Sequence, residues 1–194
     1  MKLGVLGGTF NPVHVGHLIN ADVARDRLGL DLVLFIPARI PVHKGLDAAV
    51  SPDDRYEMLR RATEHDDRFG VSRIEVDREE PSYSIITARE LVRGYPGSDL
   101  FLIIGADSFN ELHSWKDYRD LLALATLGVM SRPGFIPDNP ALDAAGARYV
   151  MVENPLIDLS STEIRARVRA GRSIRYMVPE GVGEYITEKG LYRD

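Results

Sequence analysis

The stretch KLGVLGGTFNPVHVGHL, residues 2–18, reads as a buried strand, a glycine-rich turn and the opening of a helix. The apolar run 2–7 is short enough for a strand, and Gly7 and Gly8 end it. From His17 to about Leu28 the apolar residues Leu18, Ala21, Ala24 and Leu28 recur on or near one helical face. Glycine permits positive φ and close approach to the backbone. Exposed N–H groups in such a turn, beside a helix N-terminus, form an anion site. Thr9 adds a hydroxyl donor, His14 lies in the loop, and His17 falls in the first helical turn. Gly16 between the histidines leaves space for a ligand.

The rest of the chain repeats this alternation. Strands are predicted at 31–37, 69–76, 99–105, 126–131 and 148–153. Helices are predicted from Ser51-Pro52 to about His65, from about Ser84 to Arg93, from near Ser161, and from Pro179 to near Gly190. Ser51 is an N-cap followed by proline at the first helical position. Ser160 and Glu163 fit a capping box. The stretch 132–147, rich in proline and glycine, reads as a surface excursion. Buried strands alternating with helices imply an α/β fold with a parallel sheet covered on both faces. Such sheets bind ligands beyond the C-terminal ends of their strands, near the switch point in strand order. The loops after 2–7 and 99–105 are therefore the expected site. No repeat or linker divides the 194 residues, so one domain is expected over 1–194, its helical part from about 160 carrying a phosphate site.

Composition narrows the chemistry. A net charge of −5 argues against general nucleic-acid binding, whose affinity comes from phosphate neutralisation. With no cysteine, disulfides and thiolate metal sites are excluded. His-x-x-His can ligate a metal, but no third ligand is evident, so no resident metal site is expected. The N-terminus is too short and glycine-rich for a signal segment, and no apolar run reaches membrane-span length. A soluble cytoplasmic protein is expected, with no membrane partner.

The order of residues 7–17 matches neither GxGxxG nor GxxxxGK[ST]. It resembles instead the nucleotidyltransferase superfamily, whose H-x-G-H element is His14-Val15-Gly16-His17. The resemblance to bacterial nicotinate mononucleotide adenylyltransferases covers nearly the whole chain. IPVHK (40–44), PSYS (81–84), IIGADSFNELHSW (103–115), SRPG (131–134), LSSTEIR (159–165) and VPEGVGEYITEKGLY (178–192) resemble that family's segments in order. Asn11 departs from the family's commoner aspartate, Val42 from a proline, Ser84 from a threonine and Leu159 from an isoleucine.

The resemblance implies a Rossmann-like, doubly wound sheet and transfer of an adenylyl group from ATP to nicotinate mononucleotide. The nucleophile is then already an anionic phosphate oxygen, so the protein needs no general base, only positioning and charge stabilisation. His14 and His17 become the catalytic donors. Gly7, Gly8, Thr9, Phe10, Gly16, Lys44, Gly105, Asp107, Arg132, Ser160, Ser161, Thr162 and Arg165 become contacts of ATP. Tyr83, Ser84 and Trp115 become contacts of the mononucleotide, and magnesium arrives bound to ATP.

Plainer readings stand beside these. Ser160, Ser161 and Thr162 open a helix suited to phosphate, with Arg165 one turn on, yet an ordinary capped helix with a solvated arginine has the same pattern. Asp107 can accept from ribose hydroxyls or cap the next helix. Trp115, the only tryptophan, can stack on a pyridine ring or pack in the core. Lys44 and Arg132 can be surface charges. A sister enzyme that adenylates phosphopantetheine and a nucleotide sensor without turnover are the competing functions. The oligomeric state is open.

Overall fold

The computed structural model describes residues 1–41, 50–131 and 134–193. Lys44 and Arg132 lie outside the described residues. Six strands form the sheet: β1 Lys2–Gly8, β2 Leu32–Pro37, β3 Phe69–Val71, β4 Asp99–Gly105, β5 Ala125–Met130 and β6 Tyr149–Val152. All pairings are parallel, in the order β3-β2-β1-β4-β5-β6. The order reverses between β1 and β4, so their C-terminal ends frame the switch point.

Alternation within each strand divides the core. Val33, Phe35 and Ile103 face one side, with α1 (Val15–Leu28), α2 (Pro52–Thr63), α7 (Ser161–Arg169) and α8 (Glu180–Glu188). Leu34, Ile36, Leu100, Leu102 and Ile104 face the other, with α3 (Ser84–Gly94) and α5 (Tyr118–Leu124). Burial on both faces explains why β2, and β4 after its exposed Asp99, are apolar.

Several expectations change. The strand expected at 69–76 ends at Val71. The Asp77 N–H donates to Arg73 O at 2.9 Å, and the Arg73 and Asp77 side chains pair, which turns the chain. Glu75 and Val76 are nevertheless buried, and the Thr87 hydroxyl of α3 donates to Glu75 Oε1 at 2.5 Å. Alternating polarity here marks a buried turn. The segment after β4, where a helix next to Asp107 was one alternative, forms α4 (Ala106–Glu111), a 3-10 turn (Leu112–Ser114) and α5. The 132–147 excursion contains α6 (Pro140–Ala144), pinned by wholly buried Leu142. Asn139 Nδ2 donates to Phe109 O there at 2.7 Å.

Candidate active site

Helix α1 begins at Val15, two residues earlier than its apolar pattern suggests, because His14 serves as N-cap in extended conformation. His17 is then in the first turn, its N–H donating to His14 O at 2.9 Å. The His14 N–H donates to His17 Nδ1 at 3.2 Å. That bond makes Nδ1 an acceptor, so neutral His17 carries its proton on Nε2. The two imidazole rings lie 3.7 Å apart between centroids, and Phe10 meets His17 edge-on at 5.0 Å.

His14 is buried, and burial lowers its pKa from 6.5 to about 4. It is therefore neutral at pH 7. Between pH 6.5 and 4 the unfolded chain takes up a proton at His14 that the folded chain refuses. Stability must fall as pH drops through this window, by up to about 3 kcal/mol, and the contribution vanishes above it. His14→Asn is expected to flatten this slope in urea unfolding measured from pH 7 to 4.5. Equal slopes in the two proteins would contradict the assignment.

The glycines act otherwise than expected. Neither Gly7 nor Gly8 has positive φ; the left-handed residue of this loop is Phe10, at φ 49. Gly8 is needed for space, since a Cβ there would come within 3.0 Å of the Phe10 ring. A Cβ at Gly16 would come within 3.1 Å of His14 Nδ1, so this glycine makes room for the histidine.

The turn 9–12 is held by side chains from three distant segments. Wholly buried Arg55 of α2 donates from Nη1 to Thr9 O at 2.8 Å. Arg165 of α7 donates from Nη1 to Asn11 O at 2.8 Å. The Ser161 hydroxyl donates to Pro12 O at 2.9 Å, and the Tyr192 hydroxyl to Asn11 Oδ1 at 2.6 Å. The two anion sites expected separately, the glycine turn and the SSTEIR helix start, thus form one locus. Ser160 caps α7 by accepting from the Glu163 N–H at 3.1 Å. The N–H groups of the first turn point out from the helix end, as at any helix N-terminus. Thr162 Oγ1 accepts from Arg165 Nη2 at 3.3 Å, which aims that guanidinium along the locus.

On the other side of the switch point, Gly105 is the N-cap of α4 and Asp107 lies in its first turn. The cap expected at Asp107 is therefore supplied two residues earlier. Tyr83 is the N-cap of α3, which begins at Ser84. Tyr83 and Trp115 are both half-buried against the same core. Lys116 places its ammonium 4.5 Å from the Tyr83 ring centroid, so the segment 115–116 flanks the start of α3. Arg39 and Ser82 tie the loop after β2 to this region through an Arg39 N–H to Ser82 Oγ bond of 3.1 Å.

Arg55, Tyr192 and Lys116 contact candidate site residues and were not singled out from the sequence. A lone arginine in a helix and a tyrosine near the end of a chain carry no local signal, and only long-range packing shows their use. Among the described residues no group of three or more His, Asp or Glu side chains converges as a metal site. Among them, too, no helix is long and apolar enough to cross a membrane.

A six-stranded parallel sheet with paired histidines and a capped helix meeting at its switch point defines a nucleotidyltransferase. The cytidylyltransferase-like family model matches residues 5–167, and the chain belongs to that family. Within it, the chain is a member of the nicotinate-nucleotide adenylyltransferases. It is 45% identical over 195 residues to a protein of Exiguobacterium sibiricum, covering 99% of both chains. It is 44% identical over 194 residues to one of Thermus thermophilus, covering 100% of both. Both relatives carry the name "Probable nicotinate-nucleotide adenylyltransferase". The solved Plasmodium falciparum nicotinic acid mononucleotide adenylyltransferase complexed with NaAD shares the fold. Its TM-score is 0.80 at 16% identity, over 98% of this chain and 97% of that one.

Proposed function

We propose that this chain transfers the adenylyl group of ATP to nicotinate mononucleotide, giving nicotinate adenine dinucleotide and pyrophosphate in NAD biosynthesis. The observation that carries the reading is the union of the H-x-G-H turn with the start of α7, through Arg165 and Ser161. A phosphate oxygen of the mononucleotide attacks the α-phosphorus of ATP. The new P–O bond forms as the bond to the β-phosphate oxygen breaks, and pyrophosphate leaves.

No proton has to be removed from the nucleophile, so catalysis rests on alignment and on donors aimed where charge develops. His17 Nε2–H and His14 are those donors. The turn formed by Gly7, Gly8, Thr9 and Phe10 cradles the triphosphate, with His14 seated by Gly16. The α7 start, Ser160 to Thr162 with Arg165, takes the β- and γ-phosphates. Gly105 and Asp107 address the ATP ribose, and Lys44 and Arg132 add phosphate contacts. Trp115 stacks on the pyridine ring, and N–H groups near Tyr83 and Ser84 meet its carboxylate. Magnesium comes with ATP, liganded mainly by phosphates and water. The chain acts as one domain in the cytoplasm.

Pyrophosphate release from ATP, compared for nicotinate mononucleotide, its amide and phosphopantetheine, tests the reading. Release with nicotinate mononucleotide is expected. Binding of ATP with no release for any acceptor would make the protein a sensor instead.

Arg165→Ala is expected to weaken ATP binding by roughly 1.5–3 kcal/mol, as for a lost charge-assisted contact. Calorimetric titration with ATP and with the mononucleotide separates the substrates. If acceptor affinity falls while ATP affinity holds, Arg165 faces the wrong phosphate.

A further inference from the structure

Phe10 is 3% exposed and sits at φ 49, a conformation that bulky L-residues avoid. Such strain persists only where surrounding contacts over-determine it, and it collects at functional turns. The contacts on either side of Phe10 are specific. Thr9 O accepts from Arg55, and Asn11 is held at both its oxygens, by Arg165 on the backbone and Tyr192 on the side chain.

Arg55 and Tyr192 stand out in cost. Arg55 is 0% exposed, and burial pulls its pKa below the ordinary arginine value. Its Nε and Nη2 have no hydrogen-bond partner among the described residues. A buried guanidinium left short of partners opposes stability. Tyr192 is 6% exposed and itself left-handed, at φ 64. Its hydroxyl reaches back across 181 positions to Asn11, which is 5% exposed. Strained or costly groups thus stand at both ends of the contacts that fix one short turn.

We propose that Tyr192 is a positioning residue for the transfer: with Arg55 on the other side of Phe10, its hydroxyl locks residues 9–11 in the strained turn that presents N–H groups to the triphosphate. The proposal rests on the adenylyl-transfer reading for which substrate the turn meets. It also explains why asparagine serves at position 11. The turn needs an acceptor there, and an amide oxygen supplies it without burying a charge.

Tyr185 provides the control. It is similarly buried and lies on neighbouring α8, but its hydroxyl donates to Asp54 Oδ1 at 2.8 Å and not to a residue of the turn. Tyr192→Phe is expected to lower kcat/KM for ATP by about 10–100-fold, the scale of a small misplacement at a reacting centre. KM for nicotinate mononucleotide should stay within about twofold. Tyr185→Phe should lose a comparable hydrogen bond in thermal melting yet keep kcat/KM for ATP within about twofold. Asn11→Ala breaks the Tyr192 contact from its other end. It should reproduce the ATP-specific loss, and the double variant should be no worse than either single one.

Wild-type kcat/KM for ATP in Tyr192→Phe overturns the proposal. So does an equal loss in Tyr185→Phe, which would mark a merely structural effect. ATP affinity without acceptor, measured by calorimetry on the same variants, keeps the two readings apart. Weaker ATP binding only in Tyr192→Phe and Asn11→Ala supports the brace even if no acceptor yields pyrophosphate, an outcome that would sink the activity alone.

Discussion

Alanine at His17 is expected to cut kcat about 10²–10³-fold, the usual loss for a donor aimed at developing charge. ATP affinity should change far less. The reason lies in the tautomer. The His14 N–H donates to Nδ1, which leaves the His17 proton on Nε2. Its neighbours hold the ring in one orientation, the His14 ring at 3.7 Å and the Phe10 edge at 5.0 Å. Such a donor contributes most when the α-phosphate oxygens gain charge in the transition state. Single-turnover kinetics together with calorimetric ATP titration measure the two terms. A variant with near-normal kcat would remove His17 from catalysis. A variant whose whole defect lies in ATP binding would make it a ground-state contact.

Nicotinate mononucleotide is expected to be used with kcat/KM about 10⁴ times that of its amide, the scale at which buried donors reject a mismatched partner. The two pyridine rings have nearly the same shape. They differ along one edge, where the acid offers only acceptors and the amide adds two donors. Trp115, if it stacks on the ring as proposed, meets only its face and cannot separate them. On the proposed reading the start of α3, where Tyr83 is the N-cap and Ser84 the first helical residue, faces that edge. The Tyr83 N–H already donates to Pro81 O at 2.8 Å, so the N–H groups of the first turn of α3, from Ser84 on, are the ones that would donate to a carboxylate and oppose an amide NH₂. Lys116, with its ammonium 4.5 Å from the Tyr83 ring, brings positive charge to the same side. Trp115→Ala should therefore damage both acceptors about equally and leave their ratio nearly intact. Equal kcat/KM for acid and amide in the wild type would make this a dual-specificity enzyme.

Much of the fold was legible because strands buried on two faces leave long apolar runs. The runs at 31–37 and 99–105 could be read directly, and the Ser51-Pro52 start has a local chemical signature that folding did not alter. The strand expected to 76 failed for a related reason. Alternation reports which residues are buried, and Glu75 and Val76 sit in a turn that buries them just as a strand would. The bounds of the helices between 106 and 124 were not legible because each is short, spanning Ala106–Glu111 and Tyr118–Leu124. Two turns of helix show little periodicity.

The chain's own order determined the kinds of groups in the site. Two histidines around a glycine, a serine-rich helix start followed by arginine, and a lone tryptophan after a buried strand are local chemical facts that any fold would carry. Tertiary structure alone decided how they combine. It merged two expected anion sites by setting Arg165 and Ser161 against residues 11 and 12. It moved the left-handed residue from the glycines to Phe10, and it brought Arg55 and Tyr192 to hold that turn. Periodicity and capping act within a few residues, so they appear in sequence. A hydrogen bond between residues 181 positions apart depends on every element that folds between them, and only the packed chain contains it.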